Sequence, residues 1–297
     1  MTGELRTRRL RDVLEPVAGC VYFAPETHRA FEELGFGPPN PGFRGVEAPN
    51  QDAYFTSRGG CMGRVTGEAV AAAFGVFSPD VVVPSVERGW AIADRDDILS
   101  ARERGTVAFL ERVVVSAPAE VARATELLLR GAAGAGLAGR PLYAGLRSLG
   151  LPGNPAGDLW RAADLVREHR GDCHIAAWTG AGLSAPEIML LTELWWGMPR
   201  RSYALTRGWS ADEYDRADAD LAAAGLVTAT GPEGALTAEG RALRRRIESA
   251  TDLMEARVLA AIGTDIDELI ALLEPMTEAV VAAGGYPAGA FQTASDL

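Results

Sequence analysis

Residues 225–247 read GLVTATGPEGALTAEGRALRRRI, and their order sets the expectation for the rest of the chain. Leu226 to Thr230 is an apolar, β-prone run. Gly231-Pro232-Glu233-Gly234 follows with turn composition, since glycine tolerates positive φ and proline holds φ near about −65°. The chain returns through Ala235-Leu236, and Thr237 stands where a hydroxyl caps a helix start. Upstream, Ala185–Trp196, Pro199–Thr206 and Ser210–Ala224 carry helical patterns. The expected order is helix, two-stranded wing, helix.

That is the order of a winged helix. Ala222–Val227 (AAAGLV) and Leu236–Leu243 (LTAEGRAL) resemble the MarR family of ligand-responsive regulators. The resemblance implies that Ser210–Ala224 is the recognition helix and that aromatic ligands sit between helices.

Working outward, Asp158–Trp178 has apolar residues at helical spacing, and Gly150–Gly157 (GLPGNPAG) is the clearest linker. The boundary is placed there: 1–150 as an N-terminal helical repeat domain, 151–297 as a MarR-like winged-helix domain. Before it, Arg6–Leu14, Pro25–Leu34 and Ala119–Gly131 read as helices, and Gly35–Asn50 as a loop. Thr66–Val115 is helical with breaks at Ser78-Pro79 and near Gly89. Short motifs recur in order: Arg58-Gly-Gly-Cys61 with Arg170-Gly-Asp-Cys173, Thr66-Gly67 with Thr179-Gly180, and Pro79 with Pro199. Arg88-Gly-Trp90 pairs with Arg207-Gly-Trp209, and Gly105-Thr-Val with Gly225-Leu-Val. Separations of about 112 to 120 residues indicate an internal duplication, with 51–115 equivalent to 163–228 about a pseudo-twofold axis. The first copy runs on as helix where the second has its wing. The expected fold is mainly α: two tandem winged-helix-like repeats, the second with a small β wing.

Composition narrows the chemistry. All 29 basic residues of the 297 are arginine. Without lysine there is no Schiff base, no lysine-anchored pyridoxal phosphate and no Walker A loop. A net charge of −11 opposes attraction to nucleic acid or anionic membrane. No apolar stretch reaches membrane-spanning length, and the N-terminus lacks a signal-peptide core, so the expected location is cytoplasmic. The three cysteines, Cys20, Cys61 and Cys173, suit buried reduced thiols and no zinc site of conventional spacing. Neither GxSxG nor HExxH occurs.

Over nearly its full length the chain also resembles an actinobacterial helix-turn-helix family. The resemblance rests on Tyr22-Phe-Ala-Pro-Glu26, Phe77-Ser-Pro79, Arg167-Glu-His-Arg-Gly-Asp-Cys-His174 and Thr206-Arg-Gly-Trp209. It implies a fold, not a mechanism.

DNA binding is disfavoured by charge. Ser210–Ala224 holds Asp212, Glu213, Asp215, Asp218 and Asp220 against Arg216 alone. The corresponding Ala93–Arg104 holds four carboxylates and three arginines. A useful DNA site needs about six to ten cationic phosphate contacts. The run Arg241, Arg244, Arg245, Arg246 lies beyond the wing and reads as a solvated, acid-paired helix face.

His174 is the leading chemical candidate. It lies one turn from Arg170, which should lower its pKa and could bind an anionic group. Gly171 thins the helix where a ligand or another helix comes close. Under the pseudo-twofold, Arg58 and Met62 face Arg170 and His174, and His174 with Met62 would then form an axial pair for haem. No other cofactor is indicated. His169 and His174, about 140° apart on a helix, should not share a metal, and no metal site is assigned. Trp195, Trp196, Tyr203 and Tyr22 are the aromatic ligand-binding candidates. Adjacent tryptophans point about 100° apart, so one of the pair faces a cavity, an interface or the other half. Glu26 suits a helix N-terminus and is a further catalytic candidate if it faces His174.

Three readings follow. The first is a small-molecule-binding protein, leaning to an enzyme of specialised metabolism with His174 as acid/base, whose scaffold has lost DNA binding. The second is a MarR-like regulator. The third is a protein-interaction or dimerisation module, in which the chain pairs as a homodimer. The expected partner is a small molecule, with neither DNA nor membrane.

Overall fold

The structure is a computed structural model and describes residues 3–43 and 45–289. In chain order its helices are α1 (Gly3–Gly19), α2 (Pro25–Glu33), α3 (Gln51–Gly59), α4 (Gly67–Phe74), α5 (Pro79–Ile92), α6 (Arg95–Val113), α7 (Pro118–Gly134) and α8 (Pro141–Arg147). They continue as α9 (Pro155–Gly180), α10 (Ala185–Trp195), α11 (Ala211–Ala223), α12 (Ala238–Met254), α13 (Ala256–Ile262) and α14 (Ile266–Ala282). The protein is mainly α, as expected.

The axis of the molecule is α9. Asn154 caps it by accepting the Gly157 N–H at 2.8 Å, and Pro155 suits its first turn. At 26 residues it spans about 39 Å. It packs against α1, α6, α7, α8 and α12 and is buried on several faces. One hydrophobic core runs from Leu10 and Leu14 (α1) through Phe55 and Phe74 to Leu159, Val166, Leu269 and Leu273, joining residues from both halves of the chain. Because α9 also carries Asp164, Glu168, His169 and Asp172 inside, each buried carboxylate or imidazole must find a partner on a neighbouring helix.

The wing is present in short form. Val227 and Leu236 make one antiparallel bridge, Thr228 N–H donates to Ala235 O at 2.9 Å, and Thr237 caps α12 through the Gly240 N–H at 3.0 Å. Asp218 of α11 accepts the Gly231 N–H at 2.7 Å and ties the wing tip to the preceding helix. The longer pairing lies elsewhere. Within Gly35–Asn50, expected to be a loop, β1 (Asn40–Phe43) and β2 (Val46–Ala48) form an antiparallel hairpin. Gly45 takes φ +85° in its turn, and the Asn40 side chain donates to Pro49 O at 2.9 Å to close its base.

Two further expectations need correcting. No break occurs at Gly89: α5 continues through it, because the missing Cβ admits Thr56, whose Oγ1 would lie 1.9 Å from it. The break falls at Ala93-Asp94. Pro199–Thr206 forms turns and a short 3-10 helix at Ala204–Arg207 instead of a regular helix. The buried Glu193 carboxylate accepts the N–H groups of Arg201, Tyr203 and Ala204 at 2.6–2.7 Å, replacing helical acceptors. The matching triplets also differ locally. Arg88-Gly-Trp90 lies within α5, whereas Arg207-Gly-Trp209 is irregular and docks on the first half, with Trp209 Nε1 donating to Val76 O and Ser78 N–H to Arg207 O, both at 2.9 Å. Among the described residues, no helix is long and apolar enough to cross a membrane.

Candidate functional site

The polar face of α9 is answered mostly by arginines and carboxylates of other helices. Glu168 accepts two bonds from Arg58 of α3, at 2.8 and 2.7 Å, and one from Arg167 at 2.7 Å. Arg167 also reaches Glu15 of α1 at 2.9 and 3.0 Å. Burial alone would raise the Glu168 pKa, but Arg58 and Arg167 outweigh it and hold it down to about 2. One turn on, Arg170 lies 2.9 Å from Asp252 and 3.7 Å from Glu248 of α12, while Arg244 donates to Glu248 at 2.8 Å.

His174 sits beside this second cluster. Its Nδ1 is 3.2 Å from Thr251 Oγ1, and that hydroxyl already donates to Ile247 O at 2.8 Å. The threonine therefore accepts from the imidazole, which places the proton on Nδ1 and leaves Nε2 as the basic nitrogen. Burial lowers the His174 pKa to about 4; Glu248 opposes the shift, and Arg244, Arg170 and Arg11 add to it. The ring is neutral at pH 7.

Two adjoining cavities border this network. The larger, of about 350 Å³, is rich in aromatic residues, with Tyr22, Phe23, Tyr54, Phe55, Phe77 and Tyr286 in its wall. Tyr22 and Tyr54 meet edge to face, and Arg207 lies between Phe77 and Tyr203 at 4.6 and 4.2 Å from their centroids. The smaller, of about 240 Å³, holds His174 and Gly171, with five arginines against four glutamates in its lining. Glu15, Arg167 and Tyr203 belong to both. Nη1 of Arg170, and Nε and Nη1 of Arg244, are buried and find no hydrogen-bond partner among the described residues. A Cβ on Gly171 would meet only Glu168 Oε2, at 3.6 Å, so the glycine opens onto the cavity and not onto a tightly packed helix.

Of the residues singled out from the sequence, His174, Arg170, Arg58, Trp196 and Tyr203 line the smaller cavity, and Tyr22 and Tyr203 the larger. The others lie elsewhere. Glu26 accepts from Arg112 at 2.7 Å at the start of α2 and lines neither cavity. Met62 packs at the edge of the core where Gly145 of α8 meets its backbone, so it does not join His174 at a common cavity. Trp195 packs among the α10–α11 core residues, with the Arg244 guanidinium 5.7 Å from its ring. Arg244 departs from the expected solvated face: it is 1% exposed and borders the cavity, while Arg241, Arg245 and Arg246 are exposed. One GxGxxG spacing, Gly134–Gly139, closes α7 instead of following a strand, and so lacks the dinucleotide-binding context.

A helix-turn-helix family model matches residues 7–287. The chain belongs to that helix-turn-helix family. No curated protein and no solved structure gives a significant match. Within this helix-turn-helix chain, the exposed face of α11 carries Asp212, Asp215 and Asp220 with Arg216. Asp218 turns inward to Arg200, and Asp215 pairs with Arg201 at 2.6 Å.

Sequence reading missed the partners of α9. Glu15, Glu248 and Glu255 lie roughly 80 to 150 residues from the helix residues they meet, and no local spacing announces them. One signal was available: His169 and Cys173 stand four apart, on one face of α9.

Proposed function

We propose that this protein binds a small molecule and is an enzyme of specialised metabolism, acting in the cytoplasm on a winged-helix scaffold that has lost DNA binding. Its ligand is an aromatic anion seated across the two cavities. The reading is carried by the buried, unpartnered N–H groups of Arg170 and Arg244 at a cavity that adjoins an aromatic one. Buried donors without acceptors are rare in folded proteins, and guanidinium groups match carboxylate or phosphate oxygens well. His174, neutral and with Nε2 basic, is the acid/base of the reaction, and Arg170 positions the anionic group. The ordered motif matches support an origin by duplication, with 1–150 and 151–297 as its two units.

The test is native mass spectrometry and an absorption spectrum of protein purified from its own host, followed by thermal-shift screening of aromatic carboxylates and phosphates. A stoichiometric bound aromatic anion, or a saturable rise in Tm, is expected. With that ligand, His174→Gln should keep binding and lose turnover. A protein that carries no ligand and is stabilised by none of them overturns the reading.

The family match favours a second reading, a DNA-binding regulator. The acidic face of α11 opposes it, because it would meet a phosphate backbone with like charge. A gel-shift series at low salt against the upstream region of its own gene separates the two. A sharp complex at nanomolar protein establishes the regulator.

A further inference from the structure

On one face of α9, His169 and Cys173 meet Glu255, the residue that joins α12 to α13. All three side chains are buried. Glu255 Oε1 is in direct contact with His169 Nδ1, and Cys173 Sγ lies 3.8 Å from the same Nδ1 and 3.9 Å from the same Oε1.

This convergence separates two chemistries. In a nucleophile–histidine–acid relay, the thiol and the carboxylate occupy different nitrogens of the ring, so that a proton can pass across it. Here both face Nδ1, and no relay runs between them. Three different ligand atoms around one point is instead the arrangement of a metal site. We propose that His169 Nδ1, Cys173 Sγ and Glu255 Oε1 bind a zinc-class divalent ion.

The spacing fits. At bond lengths of about 2.3 Å to sulfur and about 2.0–2.2 Å to nitrogen or oxygen, near-tetrahedral angles separate sulfur from its neighbours by roughly 3.5 Å. The sulfur is already close to that distance, and the His169–Glu255 contact opens to admit the ion. A thiolate ligand selects zinc, cobalt or another borderline ion over magnesium or calcium. Thiolate and carboxylate together neutralise the divalent charge, which a buried site requires. Arg140 supplies the outer support, its Nε donating to Cys173 Sγ at 3.1 Å, so the sulfur is set as an acceptor. A thiol ligates as thiolate, so metal binding releases its proton and weakens as pH falls. Three protein ligands leave a tetrahedral ion one open position, and Glu255 also lines the cavity that holds His174. The site does not depend on the ligand proposed above.

The experiment is titration of metal-free protein with cobalt(II), followed by the thiolate-to-cobalt charge-transfer band, with competition by zinc. One equivalent should bind with the band, be displaced by zinc and release about one proton. Cys173→Ser should abolish the band and weaken zinc binding by at least about 100-fold, and Glu255→Gln should weaken binding while keeping the band. Should the serine variant fail to fold, a Cys20→Ala/Cys61→Ala protein, whose remaining thiol is Cys173, must show the full band. A folded wild-type protein that binds no cobalt below about 10 μM overturns the site, as does a band that survives in Cys173→Ser.

Discussion

The α11 face shows mostly carboxylates to water, whereas the wall of the His174 cavity sets five arginines against four glutamates. Helix α11 shows water Asp212, Asp215 and Asp220, whereas Arg58, Arg167, Arg170 and Arg244 are turned inward around α9. Surface charge governs association with polyanions, and screened surface pairs contribute little to stability. Buried charge has strict geometric demands and is destabilising when a partner is lost. A count of basic residues along the chain therefore overstates the cations available to DNA. The arginines of this protein are concentrated where they can hold carboxylates and, by our proposal, an anionic ligand.

The largest test of this contrast is Glu168→Gln. It leaves the largely buried Arg58 without its carboxylate and Arg167 with Glu15 alone, and the expected loss is about 3 kcal/mol in urea unfolding. A loss below about 1 kcal/mol would show that water or mobility already relieves the pair.

An intermediate effect follows from pH. The folded-state pKa of His174 lies below its ordinary value, so the unfolded chain binds the proton more readily. That contribution is complete above the ordinary value near 6.5 and is lost as pH falls toward about 4. Glu248 and Glu168, held at about 2, add losses that begin below about 4.5. Denaturant melts should show stability declining from pH 6.5 to 4 in the wild type and a flatter profile across that window in His174→Gln. Parallel curves would place the ring in contact with solvent.

The smallest effect belongs outside. Asp212→Asn, Asp215→Asn and Asp220→Asn combined should change stability by no more than about 1 kcal/mol, because these carboxylates are exposed. The informative readout is a gel shift at low salt. We expect the neutralised helix still to give no discrete complex, since removing repulsion supplies no phosphate contacts. A discrete complex would mean that charge alone silences a working DNA face.

Much of the backbone was legible because it is written locally. Thr237 caps α12 as a hydroxyl before a helical pattern should, and Pro25 begins a helix where a missing N–H costs nothing, whereas α9 starts at Pro155, inside the stretch that reads as a linker. His174, Arg170 and Trp196 could be singled out by residue type and spacing. The failures share a cause. Gly89 looks like a breaker until Thr56 is seen against it, and Pro199–Thr206 reads as helical until Glu193 takes its N–H groups. Met62 stands out only by analogy between repeats and Glu26 only by helix position, and neither criterion reports where a side chain finally lies.

By itself the sequence determined a mainly helical chain, the order of helix, wing and helix near its end, and the absence of every lysine-dependent chemistry. Those properties depend on hydrogen bonding and steric preference within a few residues, or on composition alone. Only the tertiary structure decided that α9 is the central helix, that α1 and α12 supply carboxylates to its arginines, and that Glu255 stands beside His169 and Cys173. Those contacts join residues far apart in the chain. Their partners are chosen by packing and by the need to neutralise buried charge, neither of which leaves a periodic trace in the sequence.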